Sequence, residues 1–149
     1  MTLTFNNDQQ EASDKFLGFM LDKTKKEMVI GGPAGTGKST LTRHILDSIF
    51  KQMKLVNLIN MGDAGVEMPV HVTATTNKAA QVIAGMMGCE PQTIHSFLGL
   101  NVTYDSRTGK TQLRKSNSFG MIDRCLLIID EASFIDRRLL GYIREACVN

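Results

Sequence analysis

A chain of 149 residues, 42% hydrophobic and 21% charged, has the size and balance of one ordinary globular domain, and no apolar run in it approaches the roughly 20 residues of a membrane helix. The opening Met1-Thr-Leu-Thr-Phe-Asn-Asn-Asp8 lacks the basic start and apolar core of a signal peptide, which predicts a cytoplasmic protein with no membrane partner. A net charge of +2 does not by itself call for a polyanionic partner, but residues 101–120 set Arg107, Lys110, Arg114 and Lys115 against Asp105 alone, a local basic excess able to meet phosphates.

Residues 8–21 carry Ala12, Phe16, Phe19 and Met20 at helical spacing, with Asn7 or Asp8 as the cap. Met28-Val29-Ile30 is a short apolar run entering Gly31-Gly32, which predicts a buried strand that ends in a tight turn. Residues 38–52 place Leu41, Ile45, Ile49 and Phe50 on one face of a second helix. Residues 61–65 read as a loop, 70–73 as a second strand, 77–87 as a third helix ending near Gly88, and 93–100 as a short helix or turn. Residues 102–113 read as two short strands around a glycine-containing turn. Cys125-Leu-Leu-Ile-Ile129 is a continuous apolar run of the kind found in strands buried on both faces, and 137–147 form a last helix. Strands that alternate with helices predict an α/β fold, a parallel sheet with flanking helices. Cys89, Cys125 and Cys147 lie far apart with no metal-ligand spacing, which predicts reduced structural thiols.

The strongest motif is Gly32-Pro33-Ala34-Gly35-Thr36-Gly37-Lys38-Ser39, which fits the phosphate-loop pattern G-x-x-x-x-G-K-[ST] in full, between a predicted strand and a predicted helix. Glycines let such a loop curl until its N–H groups face phosphate oxygens, and the helix that follows points its positive end there. Lys38 can reach the β- and γ-phosphates, and the Ser39 hydroxyl can ligate Mg²⁺. Asp130 and Glu131 close the apolar run at 125–129. A carboxylate at a strand end can hold Mg²⁺, and its neighbour can take a proton from an attacking water. That assigns Asp130 to the metal and Glu131, with Lys38, to catalysis. The bland alternatives are an ordinary glycine turn and two solvated acids; pattern and context together weigh against both.

Further elements occur in order along the chain. Phe5-Asn-Asn-Asp-Gln9-Gln-Glu-Ala12 is similar to L-T-x-x-Q-x-x-A. Gly31-Gly-Pro-Ala-Gly-Thr-Gly-Lys-Ser-Thr40 is similar to G-P-A-G-T-G-K-[ST]-T. Thr73-Ala-Thr-Thr-Asn-Lys-Ala-Ala80 is similar to T-A-P-T-N-K-A-A, with Thr75 in the proline position. Thr93-Ile-His-Ser96 matches T-I-H-S, and Asp130-Glu-Ala-Ser133 matches D-E-x-S. With these the chain resembles the first RecA-like domain of superfamily 1 DNA helicases, in the RecD-like and phage Dda-like branch.

The resemblance implies a truncated RecA-like P-loop NTPase domain over residues 1–149 with ATP and Mg²⁺ as its cofactors, in a bacterial or phage-infected cell. It implies nucleotide contacts from Gly32, Pro33, Ala34, Gly35, Thr36, Gly37, Lys38, Ser39 and Thr40, with Gln9 reading the adenine edge. It also implies contacts to single-stranded DNA from Thr76, Asn77, Thr93 and His95. Residues 101–120 lie where this branch inserts a strand-separating pin; Leu113, taken to lie near its tip, is a candidate wedge and Lys115 a candidate phosphate contact. The family's G-D-x-x-Q element and its second RecA-like domain, which supplies an arginine finger, do not occur in the 149 residues. The expectation is therefore Mg-ATP binding with slow hydrolysis alone. Unwinding, 5′ to 3′ in this branch, is expected only when a partner chain or segment completes the motor. A P-loop kinase fits less well, because no lid is legible and 73–80 and 93–96 go unexplained. A non-catalytic ATP-binding module is the other alternative.

Overall fold

The first helix owes its start to Asn6. Its side chain accepts from the Gln9 backbone N–H at 2.8 Å, while the Gln9 side-chain oxygen accepts from the Asn6 N–H at 3.1 Å. This reciprocal capping box satisfies two N–H groups that a helix start leaves without partners. The cap therefore falls at Asn6, ahead of the expected Asn7 or Asp8. Helix α1 (Asn7–Leu21) buries Phe16 and leaves Ala12, Phe19 and Met20 half-buried. It packs against α2 (Lys38–Ile59), which buries Leu41, Ile45 and Leu46. Helix α2 runs past the expected end at Gln52, since no Gly or Pro interrupts it before Ile59.

The structure, a computed structural model, describes residues 5–22, 24–33, 35–59, 68–123 and 125–147, with the backbone alone for 49–59. Ala34, the side chains of Ile49 and Phe50 and the loop expected at 61–65 lie outside the described residues. The chain forms two compact units, Met1–Gly65 and Val66–Asn149. Within the first, the strand expected at Met28-Val29-Ile30 is absent, and Val29 is 83% exposed. A strand needs a neighbour to take its backbone hydrogen bonds, and no described residue of Met1–Gly65 does so.

In Val66–Asn149 the parallel pairing is present. Strand β1 (Val70–Ala74) pairs with β4 (Leu126–Asp130) from Val70↔Leu126 to Ala74↔Asp130. Side chains alternate between the two faces of this sheet. On one face Val72 and Ala74 pack with Ala79, Ala80 and Ile83 of α3 (Asn77–Met87). On the other, Leu127 and Ile129 pack with Ile94 and Leu98, from α4 (Ile94–Phe97) and the turn after it, and with Leu139 and Ala146 of α5 (Arg137–Ala146). Burying a side chain such as Ile83 or Ile94, 1% and 0% exposed, contributes about 1.5–3 kcal/mol. The five residues of β4 are half-buried rather than buried, for among the described residues of this unit β4 has one neighbouring strand.

Strands β2 (Leu100–Asp105) and β3 (Lys110–Lys115) form the expected hairpin, antiparallel from Leu100↔Lys115 to Asp105↔Lys110. Asp105 organises its turn by accepting from the N–H groups of Arg107 at 2.9 Å and Thr108 at 3.3 Å. Hydrogen bonds from Thr108 and Arg107 hold its carboxyl below the usual range. The three cysteines form no disulfide, and burial pushes the Cys125 and Cys147 thiols up. Among the described residues no helix is long and apolar enough to cross a membrane.

Between α4 and β2, Gly99 has φ 66°, and its carbonyl accepts from Ser116 N–H at 2.9 Å. A Cβ there would lie 2.6 Å from Ser118 Oγ and 3.0 Å from the Phe119 backbone nitrogen. Gly99→Ala should cost roughly 2–5 kcal/mol in denaturant unfolding, the sum of a left-handed alanine and an overpacked contact. Gly120→Ala, in open space, should stay within about 0.5 kcal/mol. Equal stability of the two variants would contradict this packing.

Candidate functional site

The loop before α2 is closed by its own hydrogen bonds. Gly35 and Gly37 turn with φ 78° and 77°, where a Cβ costs about 1–2 kcal/mol. The Thr36 hydroxyl donates to the Pro33 carbonyl at 2.8 Å, and the Leu41 N–H donates to the Gly37 carbonyl at 2.8 Å, opening the helix. Helix α2 starts at Lys38, and the first N–H groups of a helix have no intrahelical acceptor, so the loop ends on a partial positive charge of about half a unit. The Lys38 ammonium donates to the carbonyls of Gly32 at 2.8 Å and Pro33 at 2.7 Å. Both acceptors are neutral. An anionic oxygen adds a Coulomb attraction of about 1–4 kcal/mol at 4 Å, so a phosphate displaces the carbonyls from the ammonium. The curled backbone, helix start and ammonium donors all fit a phosphate group.

Gln9 is tied to the same loop. Its amide nitrogen donates to the Thr36 carbonyl at 3.2 Å, while its oxygen serves the capping box. An amide has two donor hydrogens and two acceptor lone pairs, so one of each remains for an adenine edge. Ser39 is half-buried and Thr40 exposed in the first turn of α2. The Ser39 hydroxyl and the Asp130 carboxylate are hard oxygen donors, the chemistry Mg²⁺ takes.

In Val66–Asn149, Ala74 joins the remaining elements. On one side it pairs with Asp130; on the other it bridges Thr93, and its N–H donates to the Gln92 carbonyl at 3.3 Å. Residues 73–80, 93–96 and 130–131 therefore meet at the carboxyl end of β1, the end where open α/β sheets place ligands. The Thr76 hydroxyl caps α3 by accepting from Ala79 N–H at 3.2 Å, and that of Thr93 caps α4 by accepting from Ser96 N–H at 3.2 Å. Each hydroxyl keeps its hydrogen for another acceptor. Asn77 is exposed in the first turn of α3. His95 is half-buried on α4; burial pushes its pKa below 6.5, with Asp136 pulling the other way.

Asp130 Oδ1 accepts from the Glu131 N–H at 2.9 Å. Glu131 has φ 53° and ψ 42°, the only positive φ at a non-glycine position among the described residues. The Thr75 hydroxyl donates to the Glu131 carbonyl at 3.1 Å. A left-handed residue costs about 1–2 kcal/mol and a hydrogen bond contributes about 1 kcal/mol, so the two nearly offset. This contact was not legible in the sequence. Its only signal was a hydroxyl in the proline position of 73–80, and the partner depends on strand register.

The hairpin corrects one expectation. Its tip is at 106–109, whereas Leu113 sits within β3 opposite Val102, half-buried against the cluster of Ile94, Leu98 and Leu100. A wedge at the tip is therefore not what Leu113 provides. Lys115 forms an ion pair with Glu145 of α5 and stands 4.5 Å from the centre of the Phe119 ring. It ties the hairpin base to α5.

Residues 19–147 match the AAA domain family. Over 121 residues the chain is 34% identical to the ATP-dependent DNA helicase dda of Enterobacteria phage T4, which covers 80% of this chain and 24% of that protein. The chain thus spans about a quarter of that relative's length.

The half-buried His95 yields a pH prediction. Its lowered pKa means that the neutral ring is favoured by folding. The associated stability is complete above pH 6.5 and is lost as the pH falls through the lowered value. NMR titration should give a His95 midpoint below 6.5, and His95→Gln should flatten stability over that range. A midpoint at or above 6.5 would contradict the burial.

Proposed function

We propose, since the chain belongs to the AAA domain family and is a RecA-like domain of the superfamily 1 helicase kind, that it is the ATP-binding motor domain of an ATP-dependent DNA helicase. The observation that carries this reading is the loop at 32–39, which presents two left-handed glycines, a helix start and the Lys38 ammonium. The phage relative, an ATP-dependent DNA helicase by name, supports it.

In this proposal Gly32, Pro33, Ala34, Gly35, Thr36, Gly37, Lys38, Ser39 and Thr40 hold the phosphates, and Gln9 reads adenine. Ser39 and Asp130 would hold Mg²⁺, which when bound neutralises charge on the phosphates. Glu131 takes the proton of the attacking water. Thr76, Asn77, Thr93 and His95 contact the backbone of single-stranded DNA, giving affinity without sequence preference. A second RecA-like domain, from a partner chain or segment, supplies an arginine finger, worth about 10³–10⁵ in rate where it acts, and the rest of the DNA track. Movement is 5′ to 3′, the direction of the branch that the motifs resemble.

ATP turnover should rise when single-stranded DNA is added. Lys38→Ala should lower turnover by about 10²–10³-fold through lost charge stabilisation. Glu131→Gln should lower it by about 10²–10⁴-fold through loss of the base, with ATP still bound. Turnover indifferent to DNA would overturn the helicase reading. Tight ATP binding without turnover under any condition would point to a non-catalytic module.

A further inference from the structure

The β1–β4 ladder ends at Ala74↔Asp130, and the next residue on each strand is Thr75 and Glu131. Glu131 leaves the extended conformation at once, with φ 53° and ψ 42°, so a strand-like backbone bond cannot continue the ladder. A side chain makes the connection instead: the Thr75 hydroxyl reaches the Glu131 carbonyl at 3.1 Å. That carbonyl also accepts from Phe134 N–H at 3.2 Å, starting the 3₁₀ turn Ala132–Phe134, and its two lone pairs accommodate both donors. On the other side of the residue, the Glu131 N–H is held by Asp130 Oδ1 at 2.9 Å. Both peptide groups flanking the Glu131 Cα are thus tethered. Thr75 is only 9% exposed, so water competes weakly for its hydroxyl.

We propose that Thr75 is a positioning residue for Glu131: its hydroxyl clamps the Glu131 carbonyl and so holds the left-handed backbone that carries the carboxylate. This rests on the proposed role of Glu131 as the base. A glutamate in the left-handed region relaxes toward the helical or extended regions unless its surroundings hold it there. Either relaxation swings the Cα–Cβ bond and displaces the carboxylate from its place. A base misplaced in this way loses rate without losing nucleotide affinity, because proton abstraction depends on geometry more steeply than binding does.

Thr75→Val keeps the shape of the side chain and removes the hydroxyl; Thr75→Ser keeps the hydroxyl. In DNA-stimulated ATP turnover, Thr75→Val should lower kcat by about 3–30-fold with KM for ATP unchanged, and Thr75→Ser should stay within about twofold of wild type. In a Glu131→Gln background, Thr75→Val should have no further effect, since the group it positions is gone. NMR scalar couplings should show Glu131 leaving positive φ in Thr75→Val and keeping it in Thr75→Ser, a readout independent of activity. A wild-type kcat in Thr75→Val alongside an inactive Glu131→Gln would overturn the positioning role. An unchanged Glu131 φ in Thr75→Val would overturn the clamp. Full turnover in Glu131→Gln would instead overturn the reading of Glu131 as the base, with the couplings still deciding the clamp.

Discussion

The parallel ladder between Val70–Ala74 and Leu126–Asp130 is the constraint on which the rest of Val66–Asn149 depends. Its register puts Ala74 beside Asp130, and the bridge on the other side of Ala74 brings in Thr93. Three segments far apart in sequence therefore reach one end of one sheet. A shift of one residue would turn Val72 and Ala74 away from α3 and move every polar group at that end. The apolar contacts on both faces oppose such a shift. Thr73, fully buried, adds a polar lock through its hydroxyl bond to the Ile128 carbonyl at 2.8 Å.

The loop at 32–39 solves a different problem. For the role proposed for it, the loop has to offer backbone groups and one cation to an anion, and yet stay folded by itself. It does so by lending its cation to its own carbonyls, Gly32 and Pro33, and by a short hydroxyl brace from Thr36. Gln9 adds a bond from α1 to the Thr36 carbonyl. Neutral internal acceptors make this arrangement exchangeable: each bond to Lys38 can pass to a stronger acceptor without leaving a buried group unpaired.

The sequence made some of this plain and hid the rest for identifiable reasons. Helix α3 was legible from end to end, because its apolar spacing stops at Gly88, and the hairpin was legible from its turn residues. Met28-Val29-Ile30 read as a strand because an apolar run shows burial preference but not whether a neighbour takes its backbone bonds. Leu113 was misplaced because a hairpin's register is set by the turn that Asp105 organises, not by where its apolar residue falls. The candidate site residues stand out as motifs because the chemistry proposed for them demands fixed residue types. The link from Thr75 to Glu131 does not, because it exists only once two strands 56 residues apart are in register.

The proposed grip of Lys38 on a nucleotide and of Asp130 on a divalent cation is open to direct test. Calorimetric titration with ATP, with and without Mg²⁺, tests it most directly in wild type, Lys38→Ala and Asp130→Ala. Mg²⁺ should tighten wild-type binding by at least about tenfold, near 1.4 kcal/mol. Lys38→Ala should bind weakly with or without Mg²⁺, and Asp130→Ala should match wild type without Mg²⁺ but lose the gain. Wild-type affinity in Lys38→Ala, or an undiminished Mg²⁺ gain in Asp130→Ala, would contradict it.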